Sequence, residues 1–224
     1  MPAPPTTSES FRGNITKYRG HMKILLTGGS GDIGTLLSID LLKMGHEVVN
    51  IDISSPKITG TIFYQGSITD RHIIKEALSD VDYVVHIAAW HGIHEGTKSP
   101  AEFHDLNVTG TFNTLQAAAD AQVKKFVFIS STSVDDKYGL YGNTKVIGEK
   151  MVSAYANRHS EIDFITLRPR AFVRAWNKGV YKDFAEWANW FMKGAVHIHD
   201  FKNSILIALG SVDNHFIQSM QAAR

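Results

Sequence analysis

Along this chain short apolar runs alternate with longer segments in which apolar residues recur every three or four positions. The first run, Lys23 to Leu26, precedes a helical pattern from about Asp32 to Met44 and a second run from Glu47 to Asp52, which predicts a βαβ opening. Further strands are predicted near Thr61 to Tyr64 and at Tyr83 to Ile87, Lys125 to Ser130 and Asp163 to Leu167. Helices are predicted at Asp70 to Leu78, around Ala101 to Ala121, and over the segment carrying Tyr141. Runs such as Val81 to Ile87 and Phe126 to Ile129 are apolar at both parities, as strands covered by helices on both faces must be. The expected fold class is α/β, a doubly wound parallel sheet of six or more strands. Ligands of such sheets lie beyond the carboxyl ends of the strands, where the strand order reverses.

Past Arg168-Pro169 the pattern loosens into a Trp- and Phe-rich segment, Tyr181 to Met192, and then Val196-His197-Ile198-His199-Asp200 leading into a helix. The helical spacing of Tyr181, Phe184, Trp187, Trp190 and Phe191 fits a substrate platform or a lid, but period alone favours the buried face of a helix. Three regions follow: an N-terminal extension over 1–21, the sheet-forming domain over 22–170, and a short, partly helical region over 171–224. The extension is rich in Pro, Thr, Ser and Gly, lacks the apolar segment of a secretory signal, and is read as a flexible arm. Met22 stands directly before the first strand.

Composition narrows the function. The 224 residues are 43% hydrophobic with a formal net charge of +1, enough for one globular unit with a substantial core. Basic residues are scattered, so no nucleic-acid partner is expected, and no apolar run approaches bilayer length, so no membrane partner is expected. The absence of cysteine removes disulfides, thiolate catalysis and cysteine zinc sites, and suits a cytoplasmic location. Eleven histidines raise the question of a metal, but neither His91 with His94 nor His197 with His199 and Asp200 has further ligands at suitable spacing. No metal is expected.

Two motifs carry chemistry. Thr27 ends the first strand, and Gly28, Ser30, Gly31, Asp32, Ile33 and Gly34 form a turn opening a helix, with glycines at three-residue spacing. Glycines there allow a tight turn and close backbone approach to a pyrophosphate, whose charge the helix amides and dipole receive. Asp52 closes the second strand, 18 positions after Gly34, where a dinucleotide fingerprint needs a carboxylate for the ribose hydroxyls. That carboxylate would repel a 2′-phosphate, so NAD is expected over NADP, although Lys57 nearby keeps NADP open. In the second motif, Tyr141 and Lys145 stand one helical turn apart, where an ammonium favours phenolate and readies the phenol for proton transfer.

With these motifs stand Gly66-Ser67-Ile68-Thr69-Asp70, His86-Ile87-Ala88-Ala89, Asn107-Val108-Thr109-Gly110-Thr111, Ser130-Ser131-Thr132-Ser133-Val134 and Leu167-Arg168-Pro169. In this order, from Met22 to about Leu209, the chain resembles the extended short-chain dehydrogenase/reductase family and its NAD-dependent epimerase/dehydratase branch, which has a Rossmann fold. The resemblance implies that Ser67 and Ile68 contact the adenine edge, that Ile87, Ala88 and Ala89 line the cofactor groove, and that Asn107 helps hold the active-site helix and its proton relay. It assigns Ser131 to orient the substrate oxygen, with Ser130 or Thr132 as alternatives, Tyr141 as general acid or base, and Lys145 to lower the phenol pKa and bind the nicotinamide ribose. His86 is expected to be a packed core residue. His91, Thr132 and Arg174 are substrate-side candidates; Arg168 and Arg170 are open as ligands of an anionic substrate, with a structural role at least as well suited to Arg168, which follows a buried strand.

Where sugar dehydratases of this family carry an acidic pair, this chain has Thr132 and Ser133, so dehydration is disfavoured; Asp135 and Asp136 are expected to cap the next turn or helix. The region after the sheet is short for the family, implying either a small substrate such as a free sugar or sugar acid, or a truncated chain. The family also implies a homodimer packed through the Asn107 and Tyr141 helices. The expected activity is an NAD-dependent oxidoreductase or epimerase at a secondary alcohol of a sugar, sugar nucleotide or sugar acid. The alternative is a catalytically silent NAD-binding regulator, against which the intact Ser131, Tyr141 and Lys145 set speaks.

Overall fold

The computed structural model describes residues 20–135, 139–173 and 182–210, without the side chain of Phe191. Six strands, β1 (Lys23–Thr27), β2 (Glu47–Asp52), β3 (Ile62–Gln65), β4 (Tyr83–His86), β5 (Lys125–Ile129) and β6 (Asp163–Leu167), form one parallel sheet in the order β3-β2-β1-β4-β5-β6. The order reverses between β1 and β4, which places the crevice of a doubly wound sheet beyond Thr27 and His86. All six expected strands are present.

The doubled apolar pattern of the strands has a direct structural cause. Leu25, Val49, Ile51, Val84, Phe126 and Phe128 face one core, which α2 (Arg71–Ala77), α4 (Gly110–Asp120) and α5 (Leu140–Arg158) cover through Ile74, Leu115, Ala118 and Val152. Ile24, Leu26, Val48, Val85, Val127 and Ile129 face the opposite core, closed by Leu37 and Leu41 of α1 (Asp32–Lys43). Neighbouring residues on a strand therefore point into different apolar layers, and neither parity can be polar.

The helix expected over Ala101 to Ala121 is interrupted. A short α3 (Pro100–His104) runs into one π turn, Asp105–Thr109, before α4 begins. The extra residue in that turn accompanies the buried Asn107, whose side chain reaches sideways to other elements.

Beyond β6 come a two-stranded parallel pair, β7 (Phe172–Val173) with β8 (Val196–His197), and the helices α6 (Phe184–Met192) and α7 (Ile198–Ala208). Ile198, Phe201, Ile205 and Leu206 of α7 complete the core beside α1, so part of the region expected to serve the substrate covers the sheet. The buried-face reading of the aromatic stripe does not hold for Phe184 and Trp190, which are 59% and 43% exposed. Helical spacing cannot tell a buried stripe from an apolar face turned outward. Tyr181 lies outside the described residues.

Phe126 is fully buried among these layers. Phe126→Ala should lower the unfolding free energy by about 3–5 kcal/mol in urea melts. A loss within 1 kcal/mol, on the order of a typical surface change, would contradict this core assignment.

Candidate cofactor and active site

The site starts from a turn with almost no side chains. Gly28 follows β1 with φ of 72° and donates to the Ile51 carbonyl at 2.8 Å. A Cβ there would lie 2.9 Å from the Ala88 nitrogen. At Gly34 a Cβ would collide with Gly29 and come within 2.6 Å of the Gly28 carbonyl oxygen, so α1 rests directly on the turn. Gly31 is the N-cap of α1 and supplies no capping side chain, and a Cβ on it would meet only the Gly28 oxygen, at 3.3 Å. This is the cradle a pyrophosphate needs: close backbone access at the positive end of a helix.

Asp52 is locked at the tip of β2. Its two oxygens accept the Ser30 amide at 3.0 Å and the Ser54 amide at 2.9 Å. A carboxylate has about four acceptor positions, so both oxygens retain capacity for ribose hydroxyls. Beneath it, Asn50 donates to the Ser30 hydroxyl at 3.0 Å, and that hydroxyl donates to the Ser54 carbonyl at 2.7 Å. Asp32 opens α1 beside Lys57, at 3.5 Å.

The adenine-side segment is anchored from α4. Asn113 donates to the Ile68 and Thr69 carbonyls at 3.4 and 3.2 Å, while Gly110 admits the Ile68 side chain against the helix. Ile68 and Ile33 are buried in the two cores, so any ligand contact at these positions runs through backbone. Ser67 lies nearer solvent, its hydroxyl bonded to Thr69. Ile87 and Ala88 donate their amides to the Thr27 carbonyl at 3.2 and 3.0 Å, which keeps the segment through Ala89 alongside the turn.

A chain of buried polar groups joins this cradle to the helix of Tyr141. His86 Nδ1 meets the Thr27 hydroxyl at 2.9 Å and Nε2 meets the Thr111 hydroxyl at 3.0 Å. Thr111 donates to the Asn107 carbonyl at 2.6 Å, so it accepts from Nε2–H and leaves Nδ1 as acceptor. Burial above all, then the charge of Lys145, lowers the His86 pKa to about 3, and the ring is a neutral core residue. Asn107 accepts the Trp90 amide at 2.8 Å and donates to the Trp90 carbonyl at 2.9 Å and to the Thr144 hydroxyl at 3.0 Å. Thr144 in turn donates to the Tyr141 carbonyl at 2.8 Å.

At the end of β5 the reactive side chains meet. The Ser131 hydroxyl bonds the Ser133 hydroxyl and accepts the Ser133 amide, each at 3.1 Å, and lies on the side of the Tyr141 phenol, while Ser130 is turned away to donate to Glu149 at 2.6 Å. Thr132 begins a short turn, its amide held by the Pro169 carbonyl at 3.0 Å. Lys145 is buried and donates to the Ile129 carbonyl at 2.8 Å, with its Nζ 5.8 Å from the Tyr141 ring centroid. Burial lowers its pKa to about 7, against the opposing pull of Glu149. Burial also raises the Tyr141 pKa, only partly offset by the nearby Ser131 hydroxyl. The expected lowering of the phenol pKa by Lys145 is therefore not what this geometry gives: desolvation dominates, and the ammonium is directed at a carbonyl.

Arg168 forms two bonds to Glu149, at 2.7 and 2.5 Å, which favours the structural of its two expected roles. His91 stacks on Tyr141 with centroids 5.9 Å apart. It retains solvent contact, and its pKa is lowered by partial desolvation first and then by Lys145 and His94. His197 and His199 stack on each other, and no group able to hold a metal occurs among the described residues. Arg174 and Asp136 lie outside the described residues.

Residues 24–186 match the NAD dependent epimerase/dehydratase family. The chain belongs to that family. It is 34% identical over 174 residues to a UDP-glucose 4-epimerase of Lactobacillus helveticus, covering 66% of this chain and 51% of that protein. It is 38% identical over 140 residues to the UDP-glucose 4-epimerase of Haemophilus influenzae, covering 56% and 40%. The chain thus spans about half the length of the curated relatives it matches. Among solved structures, a short-chain dehydrogenase/reductase superfamily protein from Agrobacterium tumefaciens with bound NAD superposes with a TM-score of 0.62 at 28% identity, over 68% of this chain and 50% of that one. UDP-glucose 4-epimerase of Thermotoga maritima with UDP-glucose shares the fold, with a TM-score of 0.70 at 22% identity over 84% and 73%.

Within this family member, several supporting residues lacked a motif to announce them: Asn50, Asn113 and Glu149. For Asn50 the signal was present, since an amide inside the apolar run Val48-Val49-Asn50-Ile51 must be bonded when buried. The partners of the others are distant in sequence.

The His86 network has a pH signature. Unfolded, His86 titrates near 6.5; folded, near 3, so protons favour the unfolded chain. Its contribution is full above pH 6.5 and falls as pH drops from 6.5 toward 3, by about 1.4 kcal/mol per unit. In His86→Gln the acid limb of stability against pH should be shallower by about one proton, and an unchanged slope would contradict the assignment.

Proposed function

We propose that this chain binds NAD and carries the cofactor site and acid/base set of a sugar-nucleotide epimerase acting on a secondary alcohol. The observation that carries the reading is convergence: the glycine turn and Asp52 on one side of the β1/β4 crevice, and Ser131, Tyr141 and Lys145 on the other. The epimerase relatives and the NAD-containing neighbour support it. The residues fit the dinucleotide, because the N-terminus of α1, whose cap Gly31 supplies no side chain, faces a turn that is glycine but for Ser30, and Asp52 is held at its edge.

When bound, NAD would accept a hydride from the carbinol carbon and return it to the other face of the ketone. The proton is the protein's task. Ser131 and Tyr141 stand together where a substrate hydroxyl would enter, Ser131 to hold the oxygen and Tyr141 to take its proton and give it back. Lys145, buried with its Nζ 5.8 Å from the Tyr141 ring centroid, is assigned to hold the nicotinamide ribose, since burial raises the phenol pKa despite its presence. Thr132 and Ser133 leave the position of an acidic pair without a carboxylate, so net elimination of water is not supported. The intact Ser131–Tyr141 pair stands against a silent regulator.

A homodimer through α4 and α5 is part of the same reading. It is supported by Phe112 and Ile147, 39% and 42% exposed on those helices. No helix among the described residues is long and apolar enough to cross a membrane, and the lack of cysteine suits the cytoplasm we propose.

Tyr141→Phe should lower interconversion of a sugar nucleotide by about 10²- to 10⁴-fold while NAD affinity stays within a few-fold. Product chromatography and NAD titration check this, and unchanged turnover would remove the acid/base role. By the same titration, NADP should bind roughly 100-fold more weakly than NAD, with Asp52→Asn narrowing the gap; equal binding by the parent would contradict the role of Asp52.

A further inference from the structure

Helix α5 begins at a glycine cap, Gly139, which offers no side chain to its first amides. The Tyr141 amide, one of the donors that the start of a helix leaves unpaired, is instead accepted by Glu95 Oε1 at 2.7 Å, from 46 positions away. A serine or aspartate at the cap would satisfy a first-turn amide locally. Here the bond ties α5 to the loop between β4 and α3.

That loop is itself firmly built. Its start is fixed by Asn107, which holds both backbone groups of Trp90. The next turn is closed by the His91 amide on His94 Nδ1 at 2.9 Å and by the Glu95 amide on the Gly92 carbonyl at 3.0 Å. Its far end is pinned by Lys98, which bonds Glu102 at 2.8 Å and lies 4.5 Å from the Trp90 ring centroid. Glu95 thus projects from a braced loop onto the residue that carries the phenol, and His91 of the same loop stacks on that ring. A carboxylate is also the group best received by the positive end of a helix.

We propose that Glu95 is a positioning residue for the reaction: by holding the Tyr141 amide it fixes the start of α5, and so the direction of the phenol, relative to Ser131 and the cofactor groove. The inference rests on the acid/base reading of Tyr141 given above. Glu95 does not exchange a proton with substrate; its work is geometric, and an amide oxygen should do much of it.

The test uses the chain with Glu95→Ala and Glu95→Gln, assayed for turnover, substrate KM, NAD affinity and exchange of the Tyr141 backbone amide by NMR. In E95A, kcat should fall roughly ten-fold, KM and the NAD Kd should stay within about two-fold, and the Tyr141 amide should exchange about ten-fold faster. E95Q should recover most of both losses. Parent-like turnover and exchange in E95A, a loss confined to KM or NAD affinity, or no rescue by Gln would each overturn the proposal. If the parent turns over no sugar nucleotide, the functional reading has failed, and amide exchange alone then decides the Glu95 contact: faster exchange only in E95A supports it, equal exchange refutes it. Should E95A not fold, E95Q and Glu95→Asp, which shortens the reach, are compared by the same exchange measurement, with faster exchange expected in E95D alone.

Discussion

Backbone-on-backbone packing at the end of β1 is the constraint on which the rest depends. Gly28 takes a left-handed φ beneath Ala88, and Gly34 lies against Gly29 with no space for a methyl group. Only glycine satisfies both demands, because any Cβ would push the first helix off the turn. With the helix seated, its unpaired amides open at the strand tips, and Asp52 is drawn into place by the amides of Ser30 and Ser54. Main chain thereby offers the kind of surface a polyanion needs, and in the proposed reading the Asp52 carboxylate reads the sugar beside it.

The second half of the site is coupled to the first through buried hydrogen bonds. Thr27, His86, Thr111, Asn107 and Thr144 form a sequence of partners running from the tip of β1 to the helix of Tyr141. Each is at most 4% exposed, and leaving any such group without a partner costs about 1–3 kcal/mol, so the set holds together or fails together. Burial has opposite consequences for the two titrating groups at the end of this path. It raises the phenol and lowers the ammonium, in each case disfavouring the charged form.

Much of this was legible in the chain. The strands could be read because both faces of the sheet are covered, which makes the runs continuously apolar, and the glycine turn could be read because its spacing follows from sterics alone. Ser131, Tyr141 and Lys145 do converge. Less legible was whatever depends on contacts between distant segments. The π turn at Asn107 exists because that side chain reaches Trp90 and Thr144, and no local pattern marks it. The phenol pKa was misjudged because helical spacing gives the direction of Lys145 but not the carbonyl of Ile129 that captures it. The exposed Phe184 and Trp190 show the same limit, since period identifies a face and not what covers it.

The central claim is that a dinucleotide lies across the strand tips with its reactive ring beside the Tyr141 phenol. A crystal structure of the chain with NAD tests it most directly. The account predicts the pyrophosphate on the first amides of α1, the adenine ribose on Asp52, and the nicotinamide facing Tyr141 and Lys145. NAD bound elsewhere, or seated with its nicotinamide out of reach of Tyr141, would contradict it.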